Sequence, residues 1–135
     1  MLPLAMTTQE IADRLVSLCR RGQNALAQVE LYDDHIESIE SHSNRHKRTK
    51  GISKVQRKTA VFFELAQEIH HSEISDPLVA GNHFCIKISI DVTLRGLGRV
   101  QLEEICVFHV KDEKIVKEEF FYSPSLIQKP HIISS

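Results

Sequence analysis

The sequence predicts an α+β fold in which three helices lie on a curved, mostly antiparallel sheet. Three observations carry that expectation. HFCIKISIDVTL, VQLEEICVFHV and KIVKEEFFY, within residues 83 to 122, alternate apolar and polar side chains for most of their length, as a meander of half-buried strands does. Apolar residues recur at helical spacing over 8–21, in a shorter stretch after Asn24, and over 54–67. Both faces of the meander carry apolar residues, and a single layer of helices covers only one of them.

At 135 residues with 41% hydrophobic content, the chain is the size of one domain and can bury a core without metal or disulfide support. A formal net charge of −1 gives no overall pull toward nucleic acid or an anionic membrane. Cys19, Cys85 and Cys106 are odd in number, widely spaced and without a CxxC pair, so neither a disulfide framework nor a zinc site is indicated. They read as buried thiols in a reducing compartment. MLPLAMTTQE lacks the basic flank and apolar stretch of a secretory signal, and no apolar run approaches the roughly 20 residues that span a bilayer. A cytoplasmic protein with no membrane partner is expected.

In chain order, residues 1–6 form a loose leader, 7–122 the single folded domain and 123–135 a tail. Thr7-Thr8-Gln9-Glu10 reads as a capping box, after which Ile11, Leu15 and Leu18 form the buried stripe of a first helix ending near Gly22. Asn24 can cap a second helix with Ala25, Leu26, Val29 and Tyr32 on its buried side. Asp33-Asp34 closes it. HIESIE, 35–40, alternates as a short strand, and SHSNRHKRTKG follows as a solvated polar connection. Its Arg45, Lys47, Arg48 and Lys50 make the one basic patch, which lacks the interleaved aromatics of a nucleic-acid surface; nucleic acid is therefore disfavoured as a partner. Ser53-Lys54-Val55-Gln56 suggests a second capping box, opening a third helix that carries Val55, Thr59, Phe62 and Phe63 and lies as a lid over the sheet. Residues 68–79 read as a strand with a bulge or edge position at Pro77, turning through Gly81-Asn82 into the meander. The tail holds Leu126, Ile127, Ile132 and Ile133, apolar enough to pack, for instance on a partner subunit.

The registers decide the chemistry. A hairpin loop at Leu97-Gly98 sets Asp91 opposite Glu104 and Ser89 opposite Cys106. A three-residue loop ending on a left-handed Glu113 sets Glu104 opposite Phe120 and Cys106 opposite Glu118. With the Gly81-Asn82 turn, His70 and Ser72 share a face with Thr93 and Asp91. One face then gathers Lys87, Ser89, Asp91, Glu104, Cys106, Phe108, Glu118, Phe120 and Tyr122, a mixture of acids and aromatics that suits a wet pocket. The other holds Ile86, Ile88, Ile90, Ile105, Val107 and Phe121. Burying that second set against another copy contributes on the order of 10 kcal/mol from apolar area, before association costs, so a homodimer packed through the outer sheet face is expected.

SEISDPLVAGNHF, IDVT, LEEICVFHVKDEKIV and EEFFY, in this order of elements, resemble the SnoaL-like branch of the nuclear transport factor 2-like superfamily. The resemblance covers about residues 7–122. It implies a cone-shaped α+β barrel with a pocket between sheet and helices, commonly dimeric through the sheet's outer face. Its members include polyketide cyclases, ketosteroid isomerase, limonene epoxide hydrolase, scytalone dehydratase and non-catalytic binders, so the fold alone selects no reaction. Asp91 matches the strand position at which epoxide-hydrolase relatives keep a catalytic aspartate. The arginine of that motif is replaced by Ser89, and the acid of the last strand falls at Phe120. The usual Asp-Gly turn is Asp112-Glu113 here.

Asp91 and Glu104, if directly opposed, have β-carbons about 5 Å apart, so one carboxyl should be pushed toward neutrality as a general acid or base requires. His70 serves as shuttle or orienter, and Tyr122 can donate to a developing enolate. Ser89, Cys106, Glu118, Phe120, Tyr122 and Phe62 line the site. The expected activity is cofactor-free acid–base chemistry on a small apolar, carbonyl-bearing molecule: isomerisation, dehydration or cyclisation. The alternative is a non-catalytic ligand-binding or association module. No metal or other cofactor is implied, because His70 and His71 point to opposite faces and His109 falls on the other face from Glu104; with no histidine beside Cys106, nucleophilic catalysis is disfavoured too.

Overall fold

The structure is a computed structural model and describes residues 5–42 and 45–122. Most of the leader and the whole tail, with its apolar residues, lie outside the described residues. The elements are α1 (Thr8–Arg20), α2 (Asn24–Leu31), β1 (Tyr32–His42), β2 (Arg45–Lys50), α3 (Ile52–Leu65), β3 (Ala66–Ile74), β4 (Leu78–Ala80), β5 (His83–Leu94), β6 (Gly98–Lys111) and β7 (Lys114–Tyr122). The strands form one sheet in the order β2-β1-β7-β6-β5-β3, with β4 also paired to β5. All pairings are antiparallel except β1 with β7. This is the expected α+β architecture of three helices against a curved, mostly antiparallel sheet.

The Thr7 hydroxyl accepts from the Glu10 N–H at 3.1 Å and the Glu10 carboxylate accepts from the Thr7 N–H at 2.9 Å, closing the capping box of α1. Ile11, Ala12, Leu15, Val16 and Leu18 then face the core. On α2 the expected buried side is reversed. Ala27, Gln28 and Leu31 are buried, while Leu26 and Val29 are 44% and 66% exposed. The cause is α3, whose Thr59 hydroxyl accepts from the Gln28 amide at 2.8 Å and fixes which side of this short helix turns inward. Tyr32 is buried as expected, but it opens a strand, so the helix ends before Asp33-Asp34.

That strand, β1, is longer than HIESIE suggested, and the expected polar connection instead contains its antiparallel partner β2. Glu37 explains part of the pairing: its carboxylate lies 3.1 Å from Arg48 and 3.6 Å from Lys50 across the two strands, so one acid is shared by two of the basic residues on a sheet edge. The Ser53 capping box does not form. Helix α3 begins at Ile52 behind Gly51, whose φ of 95° makes the sharp entry and whose carbonyl accepts from Val55.

Beyond α3, the strand expected over 68–79 divides at Ser75-Asp76-Pro77 into β3 and β4, as a proline without a ladder donor requires. The Gly81-Asn82 turn forms, with Ala80 opposite His83. A register shift between Ile69 and His71 keeps His70 beside Thr93, with 2.7 Å between ring nitrogen and hydroxyl, but sets Ser72 opposite Ile90 and not on the Asp91 face.

The β5–β6 register differs from expectation in the way that matters most. The loop is Arg95-Gly96-Leu97, and Glu104 lies opposite Ile88, Cys106 opposite Ile86, Asp91 opposite Gln101 and Ser89 opposite Glu103. The slip is by an odd number of residues, so β5 is inverted relative to β6. The reason is burial. This register puts Phe84, Ile86 and Val92 of β5 on the same side as Val100, Cys106, Phe108 and Val110 of β6, and all are buried. The Phe84 and Phe108 rings stack with centroids 4.7 Å apart. At β6–β7 the loop is the two residues Asp112-Glu113, both with positive φ (50° and 63°), pairing Cys106 with Phe120 and Phe108 with Glu118. That slip is even, so the faces of β6 and β7 remain as expected.

Candidate functional site

Between the inner sheet face and the helices lies a cavity of about 470 Å³. Its two ends differ chemically, because the sheet rows beneath them differ. Ile86, Ile88 and Ile90 of β5, Ile69 and Ile74 of β3, and Phe62 and Phe63 of α3 make an apolar wall. On the other side, β1 and β7 run parallel, with Ser38 beside Glu118 and Glu40 beside Phe120. Alternation then brings Tyr122 to the cavity as well, and α3 lowers Lys58 onto this end.

In the polar end the side chains pair with one another, except for one carboxyl. Tyr32 and Ser38 donate to the two oxygens of Glu118, Ser38 at 2.7 Å. Lys58 donates to Ser38 at 2.7 Å, pairs with Glu40 at 3.0 Å and sits 5.2 Å from the centre of the Phe120 ring. Tyr122 donates to the other Glu40 oxygen at 3.0 Å. Among the described residues no donor or cation reaches the Glu104 side chain. It lies between this network and the apolar wall, opposite Ile88.

The carboxyl affinities follow from that geometry. Burial, then the neighbouring Glu40 and Glu118, push Glu104 up to about 7, with Lys58 opposing. Burial also raises Glu118, although Tyr32 and Ser38 stabilise its charge. For Glu40 burial acts upward, but Lys58 and the hydrogen bonds of Lys58 and Tyr122 outweigh it and the net shift is down. Burial and then Glu40 raise the Tyr122 phenol to about 12. Burial and then Glu118 raise the Cys19 thiol to about 11, and burial with Glu104 raises Cys106 well above its usual range, so neither supplies a thiolate. Glu104 is thus brought to a proton affinity near neutrality.

The residues singled out in the sequence divide between the two faces. Glu104, Glu118, Phe120, Tyr122 and Phe62 line the cavity. Cys106 shares their face but is fully buried in the core. Asp91, Ser89 and His70 do not join them, because the odd slip turns the polar side of β5 outward. On that outer face Asp91 accepts a fork of two bonds from Arg99, at 2.9 and 2.8 Å, which lowers its carboxyl. His70 contacts Thr93 and lies 3.3 Å from Glu68. The expected Asp91–Glu104 pair therefore does not exist. Tyr32, Ser38, Glu40 and Lys58 are the site residues that sequence reasoning missed. Their signals were present: Ser38 and Glu40 alternate on β1, and Lys58 stands on the same helical stripe as Val55 and Phe62.

Among the described residues no cluster of three or more His, Cys, Asp or Glu side chains could hold a metal ion, and no helix is long and apolar enough to cross a membrane.

The family model described as a SnoaL-like domain matches residues 6–122. A crystal structure from Mesorhizobium loti, described as that of a SnoaL-like polyketide cyclase, is 31% identical with a TM-score of 0.79, covering 87% of this chain and 100% of its own. A SnoaL-like polyketide cyclase structure from Jannaschia sp. CCS1 is 18% identical with a TM-score of 0.68, covering 90% and 88%. A ketosteroid isomerase-like fold from Catenulispora acidiphila, solved with trimethylamine, is also 18% identical with a TM-score of 0.68, covering 90% and 91%. No protein of curated function matches the chain. The family match over most of the sequence, and a relative at this identity covered over its full length, make the chain a member of the SnoaL-like domain family with a nuclear transport factor 2-like fold.

Proposed function

We propose that this protein binds a small apolar, carbonyl-bearing molecule in the cavity and transfers a proton on it without a cofactor, Glu104 being the acid–base group. The observation that carries this reading is Glu104 itself: a carboxyl brought to about 7, without a protein partner among the described residues, at the border between an apolar wall and a hydrogen-bonded network. A general base poised near the working pH is the most effective one. Ionised Glu104 takes the proton from the carbon next to the carbonyl, leaving an enolate. Protonated Glu104 then returns it to another carbon, giving isomerisation, or to a departing hydroxyl, giving dehydration. Lys58, with one N–H beyond its bonds to Ser38 and Glu40, stands at the same end as the developing charge.

Deuterium exchange at the α-carbons of 2-tetralone in D2O, followed by NMR, tests the reaction. The wild-type protein should accelerate exchange over buffer, and Glu104→Gln should remove roughly two orders of magnitude of that acceleration. Exchange no faster than in buffer, or unaffected by the substitution, rejects it.

The position of Asp91, paired to Arg99 on the far face, favours a second reading, a non-catalytic binding module, since no second acid of β5 serves the cavity. A ligand-induced rise in melting temperature without exchange would select it. Homodimerisation through the outer sheet face belongs to both readings. It is supported by Ile105 and Phe121, cross-strand neighbours that are 44% and 41% exposed.

A further inference from the structure

The polar end of the cavity holds more hydrogen-bond acceptors than donors. An ionised carboxylate offers about four lone-pair sites, and three carboxyl groups stand here with a single ammonium. Glu40 and Glu118 each receive one donor on either oxygen. Lys58 is committed to Ser38 and Glu40. Tyr32 and Tyr122 direct their hydroxyl protons to Glu118 and Glu40. Among the described residues no side chain donates to Glu104, while on its other side it meets hydrocarbon: Ile88 directly across and Leu102 beside it. The Glu40 and Lys58 charges offset each other, so an ionised Glu104 is a negative charge without a counterpart in a low-dielectric hollow. Phe62 and Phe120 line the same space, and Lys58 already lies 5.2 Å from the Phe120 ring centre, as aromatic rings attract cations.

We infer that this cavity also binds lipophilic ammonium ions, the ligand's N–H groups donating to Glu104 while its hydrocarbon body packs on Ile88, Leu102 and Phe62. The inference shares with the proton-transfer reading only the premise that the cavity takes ligands. It differs in ligand class, since proton transfer needs a carbonyl compound with an acidic α-carbon, whereas an ammonium ion pairs with ionised Glu104 by charge. Among described side chains, the titratable groups facing Glu104 are Glu40 of β1, Glu118 and Tyr122 of β7, Lys58 of α3 and Cys106 of its own strand. On the other side β5 and β3 present Ile88, Ile74 and Ser72.

Calorimetric titration of the full chain with 2-aminotetralin and with 2-tetralone, at pH 6 and pH 8, tests this. The amine should bind roughly tenfold tighter at pH 8, because the ionised fraction of a carboxyl near 7 rises about that much. The ketone should gain nothing. Glu104→Gln should abolish the amine's gain, and Asp91→Asn should leave it. Ketone binding with an amine affinity that ignores pH or the Glu104 substitution overturns the inference and spares the proton-transfer reading. If neither compound binds, both fall.

Discussion

Glutamine at position 104 keeps the outline of the side chain and removes its charge, so Glu104→Gln isolates what ionising this carboxyl does to folding. The ordinary glutamate value is 4.5 and the folded value is about 7. That gap corresponds to about 3 kcal/mol. Below 4.5 the carboxyl is neutral in both folded and unfolded chains, and its contribution is fully present. As pH rises toward 7 the unfolded chain releases the proton while the folded one retains it, and the wild type loses stability; above the folded value the loss is complete. Urea unfolding of both proteins from pH 5 to pH 8.5 should show the variant's advantage growing by about 2.5 kcal/mol. Glu118, also raised by burial, shifts both proteins alike and largely cancels in the difference. An advantage that stays constant across the range would mean that Glu104 is hydrated like a surface carboxyl, and the cavity chemistry would lose its basis.

Three further outcomes follow from the geometry. Glu113→Gly should stabilise the protein by about 1 kcal/mol in thermal or urea unfolding, because it relieves a left-handed non-glycine residue. Asp91→Asn removes an outer-face pair with Arg99 and should leave both ligand affinity and any proton exchange unchanged; a loss of either would return Asp91 to the site. Ile105→Asp combined with Phe121→Asp should convert a dimer to a folded monomer in sedimentation equilibrium, and unchanged mass would place any self-association elsewhere.

The sequence made the architecture legible wherever a local signal has a single structural solution. Thr7 with Glu10, the Gly81-Asn82 turn and the break at Pro77 are such cases. Parity was legible too along β6 and β7, where Glu104, Glu118, Phe120 and Tyr122 come to one face whichever even register is chosen. The β5–β6 hairpin was not legible, because Gly96 and Gly98 both take positive φ and either can serve the loop, so turn chemistry leaves the register open. Only the long-range preference of Phe84, Ile86 and Val92 for the side holding Phe108 and Val110 settles it, and that preference is tertiary. Lys58 and Glu40 escaped for a related reason. Each looks like a surface charge on its own element, and their pairing exists only once α3 is laid against β1.

The three-residue loop at Arg95-Gly96-Leu97 also bears on how this protein can be re-engineered. A residue added inside that exposed turn lengthens the loop, while the buried side chains of β5 and β6 hold the pairing where it is. A residue added within either strand is different: it inverts every side chain beyond it, so grafts at this corner are free in the loop and must keep the alternation of the strands.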